Sequence, residues 1–261
     1  MDFSPIPQIL RALRPFLLER PQEIESKEGH ANFVTSSDLH VQAEIFRQLR
    51  ELYPSVACVG EEDEEGQNLP LPGPCFLLDP IDGTSNFIFD LHCSAISLAF
   101  CEEGRPLAAW VYNPYLDLLY EAHKGRGAQC NGQPIRSRRG GLDEGLCCAD
   151  LGSYIPESRR EASRFADLIA DHCLGLRILG CASLGLCMVA AGQLQAYYGK
   201  RLQAWDYAAA ELIIEEAGGL LVAADGQALG QRGNLEVLAA ANSESLAALQ
   251  ALHHQFYTSA P

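Results

Sequence analysis

The stretch Phe76-Leu-Leu-Asp-Pro-Ile-Asp-Gly-Thr-Ser-Asn-Phe87 constrains the fold of this chain more than any other. The apolar run Phe76 to Leu78 reads as a short buried strand. It ends at Asp79, because Pro80 has no backbone donor with which to continue a central ladder. Asp82 follows three positions after Asp79. Gly83 permits a tight backbone turn, and Thr84, Ser85 and Asn86 offer caps for a helix beyond it. Two carboxylates then stand at the carboxyl end of a strand beside exposed amides, the parts of a divalent-metal site that also holds a phosphate. Asp-Pro and Asp-Gly are equally common turn formers, so by itself the stretch also reads as an ordinary turn.

With 261 residues, 48% of them hydrophobic, the chain is long enough for one large domain or two subdomains sharing a core. Its formal net charge of -15 argues against a nucleic-acid backbone as partner, but not against a small phosphorylated ligand held through cations. The ten cysteines form no Cys-x-x-Cys pair and sit mostly in apolar runs, as expected of free thiols in a reducing cytosol. No secretory signal opens the chain and no apolar run is long enough for a membrane span, so a cytoplasmic protein is expected.

Residues 4–20 read as a helix that Pro15 kinks or breaks, and 21–34 as a loop or irregular hairpin. A second helix starts near Thr35 and closes at Pro54. Val56 to Val59 is a strand that runs into the acidic loop Gly60-Glu61-Glu62-Asp63-Glu64-Glu65-Gly66. After the central turn, Cys93 to Cys101, Leu107 to Tyr112 and Leu118 to Ala122 form an antiparallel meander. Arg136 to Gly141 is basic, polar and rich in glycine, and marks a boundary between halves at 1–139 and 140–261. The second half alternates strands at Leu146, Leu176, Leu194, Leu220 and Val237 with helices over 158–170, Ala182 to Ala191, 206–217 and 243–254. Such alternation implies an α/β fold with helices covering both faces of a sheet.

The central stretch resembles the hallmark of the inositol monophosphatase family of magnesium-dependent, lithium-sensitive phosphatases. So do Trp205-Asp206-Tyr-Ala-Ala-Ala-Glu-Leu-Ile-Ile-Glu-Glu-Ala-Gly-Gly219, Gly60-Glu61-Glu62 and Val34-Thr35-Ser36-Ser37-Asp38. The resemblance covers nearly the whole chain. It implies a layered α/β/α/β/α sandwich with the metal site between two α/β halves, the second half supplying Asp206 and the substrate-side segment.

Residue by residue, the resemblance implies that Glu61, Asp79, the Ile81 carbonyl, Asp82 and Asp206 hold two or three Mg2+ ions, a set of hard oxygen donors suited to that ion. Glu62 and Lys27 stand behind the ligands, Lys27 near the weakest metal. Read without the resemblance, Glu61 belongs to a solvated acidic run, Lys27 to a solvated loop, and Asp206 is a helix N-cap. Asp38 and Thr84 match the pair that orients the attacking water, Thr84 passing its hydroxyl hydrogen toward Asp38, with Glu61 also in the catalytic set. Asp82, Gly83, Thr84, Ala182, Gly199 and Asp206 face the substrate, a small phosphate monoester. Water attacks phosphorus in line, and no serine or cysteine nucleophile is needed; Ser183 reads as a packing residue at a helix start.

Where the family carries a glutamate this chain has Gly199, which leaves room and removes an acceptor for substrate hydroxyls, while Lys200 and Arg201 add positive charge. A broader enzyme is expected, with inositol or polyol monophosphates as substrates and 3'-phosphoadenosine 5'-phosphate or fructose 1,6-bisphosphate as alternatives. A non-catalytic metal- and phosphate-binding module is a further alternative, which an intact Asp38 and Thr84 count against. The family resemblance also implies a homodimer.

Overall fold

The computed structural model describes residues 1–19, 23–26, 33–63, 69, 73–152 and 155–258. The expected first helix is two, α1 (Ile6–Ala12) and α2 (Arg14–Leu17), because Pro15 lies in the first turn of the second and cannot donate back across the break. Strands β1 (Ile24–Ser26) and β2 (Phe33–Thr35) pair antiparallel. Thr35 then caps α3 (Ser36–Leu52), its hydroxyl accepting from the Ser37 and Asp38 amides while Asp38 reaches back. This is the reciprocal capping of a Thr-x-x-acid start.

A seven-stranded sheet follows. It comprises β3 (Ala57–Gly60), β4 (Cys75–Asp82), β5 (Ala95–Glu102), β6 (Arg105–Asn113), β7 (Leu118–His123), β8 (Ala128–Cys130) and β9 (Gln133–Pro134), in that order. Only β3 and β4 are parallel; the rest is the antiparallel meander. Helix α4 (Thr84–Ile88) follows β4 after the single residue Gly83.

The second sheet has the order β11 (Gly175–Arg177), β10 (Leu146–Asp150), β12 (Ala196–Leu202), β14 (Leu235–Ala240), β13 (Leu220–Ala223). Its helices are α5 (Pro156–Ala170), α6 (Ala182–Ala190), α7 (Ala204–Ala217) and α8 (Ser243–Thr258). Gly218 ends α7 in the left-handed conformation.

Alternation along β4 shows how the layers stack. Phe76 and Leu78 pack with Leu10, Val41, Ile45 and Trp110 under α1 and α3. Cys75 and Leu77 face the other way, into a core with Leu184, Leu186, Leu212 and Ile213 of α6 and α7. The side chains of α6 and α7 are buried almost all round, because these helices lie between the two sheets. Helices α5 and α8 cover the far face of the second sheet through Phe165, Ile169, Leu246 and Leu249. The result is a five-layer α/β/α/β/α sandwich. All ten cysteines are free, most of them buried. Among the described residues no helix is long and apolar enough to cross a membrane.

Candidate active site

Strand β4 does not stop at Asp79. It continues to Asp82 through a bulge, the partner register moving from Asp79 opposite Ser97 to Asp82 opposite Ala95. Pro80 and Ile81 occupy the bulge, where a missing donor breaks no ladder bond. Asp79 Oδ1 accepts the Ile81 amide at 3.0 Å, a local turn that fixes its carboxylate. Gly83 then takes φ 84 and is itself the N-cap of α4; Thr84, Ser85 and Asn86 do not cap it. Asn86 instead donates to the carbonyls of Cys93 and Leu179, both at 2.7 Å, pinning α4 to the entry of α6.

Two other elements bring acidic groups to this point. The parallel register sets Gly60 beside Leu78, and the Glu61 amide bonds the Leu78 carbonyl, so Glu61 emerges next to Asp79. The loop around it is not a freely solvated acidic run. Asp63 folds back onto the Gly60 amide (3.1 Å) and Gln42 Nε2 (3.0 Å), and Gln42 Oε1 accepts from the Glu62 amide. Asp206 lies at the third position of α7, one turn inside the cap at Gln203, whose amide donates to Asp206 Oδ2 at 2.8 Å. It is therefore not the N-cap expected of an aspartate after Trp205, but it still closes the helix start while its carboxylate faces the site. Ser97, register partner of Asp79, donates to the Trp205 carbonyl at 2.9 Å and so locks α7 to β5.

Asp82 faces the start of α6. Its Oδ2 accepts from the Ser183 amide (2.6 Å), the Ser183 hydroxyl (2.5 Å) and the Cys181 thiol (3.2 Å), and its Oδ1 from the Ala182 amide at 3.2 Å. Ser183 is thus more than a packing residue; it holds Asp82. The signal was present in the Cys181-Ala-Ser183 start of an apolar helix, where free amides must find acceptors.

Glu61, Asp79, Asp82, Thr84, Ala182 and Asp206 share one cavity of about 850 Å³, with Ile81 and Gly83 on its floor. Burial and then the charges of Glu61, Asp82, Asp206 and Asp38 push the Asp79 carboxyl well above the usual carboxylate range. Burial, then Asp82 and Glu61, do the same to Asp206. Asp82 is also raised by burial, against the donors on Ser183, Cys181 and Ala182. Concentrating this much negative charge in a buried place is unfavourable unless cations join it. The donor set is all hard oxygen, which fits Mg2+. Among the described residues no three such side chains are already arranged as an ion-holding group. The fold supplies their common cavity and mutual repulsion, which a divalent ion would relieve.

The remaining expected residues fall differently. Asp38 is buried behind the site, its Oδ2 held by the Thr35 amide (2.8 Å) and hydroxyl (2.5 Å). The Thr84 hydroxyl donates to the Ile81 carbonyl at 3.1 Å rather than toward Asp38, because the turn at Gly83 brings that carbonyl nearer. Glu62 is half-buried beside the cavity without lining it. Lys27 lies outside the described residues. Gly199 does not line the cavity, and the room expected there is filled: a Cβ would stand 2.9 Å from both Leu202 Cδ1 and Tyr197 Cε1.

Asp150 lines the cavity from the end of β10, beside Gly199 in the parallel register. Burial lifts its carboxyl to about 6, the Gly152 amide opposing and the Asp82 charge adding. Sequence reasoning missed it, although Leu-Cys-Cys-Ala-Asp150 repeats the pattern of an apolar strand ending in aspartate. Lys200, Arg201 and Arg232 also line the cavity.

The family model described as the inositol monophosphatase family matches residues 8–258. Inositol monophosphatase 1 of Bos taurus is 34% identical over 210 residues, 78% of this chain and 76% of that protein. The IMPase of Thermotoga maritima has the same fold, with a TM-score of 0.86 at 26% identity over 98% of each chain. SaIMPase-II, solved with inositol monophosphate bound, gives a TM-score of 0.73 at 27% identity, covering 85% of this chain and 87% of its own. A carboxylate cavity built at the end of β4, within a five-layer sandwich, and a family match over nearly the entire sequence lead to one conclusion: this chain is a phosphatase that belongs to the inositol monophosphatase family.

Proposed function

We propose that this chain hydrolyses the phosphate monoester of an inositol or a related polyol, with Mg2+ held by Glu61, Asp79, Asp82, Asp206 and the Ile81 carbonyl. The observation that carries the reading is the convergence of four carboxylates from β4, α7 and the β3 loop on one cavity that also contains Thr84 and the Gly83 turn. Bound divalent ions neutralise phosphate charge and make water a better nucleophile. Asp79 and Asp82 are pre-oriented, the first by the Ile81 amide and the second by the start of α6. With its hydrogen committed to the Ile81 carbonyl, Thr84 Oγ1 keeps lone pairs with which to accept from a water and orient it toward phosphorus. The Gly83 and Thr84 amides face the phosphate oxygens. Asp38 acts from behind, through its charge on Asp79 and by fixing the start of α3.

That inositol monophosphate binds SaIMPase-II supports the polyol substrate. The test is phosphate release, with Mg2+, from inositol 1-phosphate, glycerol 2-phosphate, 3'-phosphoadenosine 5'-phosphate and fructose 1,6-bisphosphate. Release from the first two is expected; release from the adenosine ester alone would refute the substrate assignment.

A further inference from the structure

Among the described residues three cations line the cavity, and two of them are neutralised within the protein. Lys200 Nζ lies 3.0 Å from Glu236 and 3.6 Å from Glu161, and Arg232 pairs with Asp225 at 2.9 Å. Arg201 has no acidic partner among the described residues; its Nη2 donates to Asn234 Oδ1 at 2.9 Å. Gln203 Nε2 donates to the same oxygen at 3.3 Å, so Asn234 tethers both side chains at the cavity rim. One guanidinium nitrogen is held and the other donors of the fork remain available.

The backbone at Arg201 is equally unusual. It has φ 64, at the bulge in β12 where the pairing with β14 slips between Gly199 and Leu202. Among the described residues, the other left-handed residues that are not glycine are Asp, Asn or His in loops, or Glu103 in the tight turn before Gly104; of the whole set only Arg201 lies inside a strand. Such a bulge favours glycine, and an arginine there is held against its own preference. Strained residues of this kind gather at ligand clamps, where the side chain offsets the backbone cost.

We propose that Arg201 binds a second anionic group of the substrate, a phosphate or a carboxylate, so that the preferred substrate is a phosphate monoester bearing one further negative group. The proposal rests on the phosphatase reading of the same cavity. A guanidinium fork meets such a group with paired hydrogen bonds, and this one lines a cavity whose other described cations, Lys200 and Arg232, are already engaged.

The experiment compares wild type with Arg201→Gly on fructose 1,6-bisphosphate, 3-phosphoglycerate and glycerol 2-phosphate in Mg2+. Losing hydrogen bonds to a charged group should lower kcat/KM for one or both doubly anionic esters by about tenfold more than for glycerol 2-phosphate. The gap should narrow as salt is raised. The variant should also melt at a higher temperature, since glycine relieves the left-handed backbone. Equal losses on all three esters would overturn the assignment. Should wild type release phosphate from none of them, nor from inositol 1-phosphate, the phosphatase reading fails. The Arg201 assignment is then decided by calorimetric binding of fructose 1,6-bisphosphate: about tenfold weaker binding in the variant upholds it and equal binding overturns it.

Discussion

Thr84 separates two functions that a carboxylate cluster alone would blur. Its hydroxyl donates to the Ile81 carbonyl, and in the proposed mechanism it serves water rather than metal. Thr84→Ala should therefore keep calorimetric Mg2+ affinity within about threefold while kcat falls by about a hundredfold, the range that a positioned proton-handling group contributes. Parallel loss of both quantities would contradict that division. At this scale the carboxylates were legible, because Asp79, Asp82, Asp206 and Glu61 sit in local patterns with strong backbone consequences: strand end, glycine turn, helix start. Asp150, Ser183 and the Gln42–Asp63 pair were not. Their roles depend on which elements become neighbours across the sandwich, as when Ser183 meets Asp82 a hundred residues away. The open space imagined at Gly199 failed for the same reason, since a sequence does not say that Leu202 and Tyr197 fill it.

Among the elements, the β4–α4 corner matters most. Gly83 turns the chain at φ 84, and a Cβ there would stand 2.9 Å from the Cys93 carbonyl oxygen and 3.0 Å from that of Gly180. Both are backbone atoms that cannot swing away. Gly83→Ala should cost about 2 kcal/mol or more from the left-handed backbone and the crowding together. It should also reduce turnover, because Asp82 and Thr84 flank the turn. A urea midpoint within error of wild type would show that the corner yields more easily than its contacts suggest. Element types and order were legible from hydrophobic periodicity, including the meander and the buried α6. Proline in sequence signals the end of a strand, whereas β4 runs on to Asp82 because a bulge accommodates Pro80. The α1–α2 break at Pro15 shows the opposite case, where the helix ladder has no such slack.

For the whole molecule, helices α6 and α7 lie between both sheets, so the two halves share one core rather than meeting at an interface. Five layers were legible from alternation combined with the family resemblance; the register that aligns Gly60 with Leu78, and Asp150 with Gly199, was not. A second tie joins α8 to the outer sheet at Glu236. Burial pushes its carboxyl up, but His253, the Tyr198 hydroxyl (2.7 Å) and Lys200 (3.0 Å) outweigh burial and hold it at about 2, below its ordinary 4.5. A depressed carboxylate stabilises the fold fully above the unfolded value and loses that contribution as pH falls from about 4.5 toward about 2. Asp79 and Asp206 are raised and act in the opposite sense, so the comparison must be between proteins: Glu236→Gln should lose less stability than wild type between neutral pH and pH ~3 in urea titrations. Identical acid losses would remove Glu236 from the account. The central claim is that the buried carboxylates at the end of β4 work only with divalent ions. Its most direct measurement is phosphate release from inositol 1-phosphate as Mg2+ is titrated into chelator-treated wild type and Asp79→Asn, with folding checked by circular dichroism. Wild type should be inactive without Mg2+ and saturate with it, while folded Asp79→Asn stays at least about a hundredfold slower at every concentration. Metal-independent release by wild type, or a folded Asp79→Asn protein that matches it, would contradict the account.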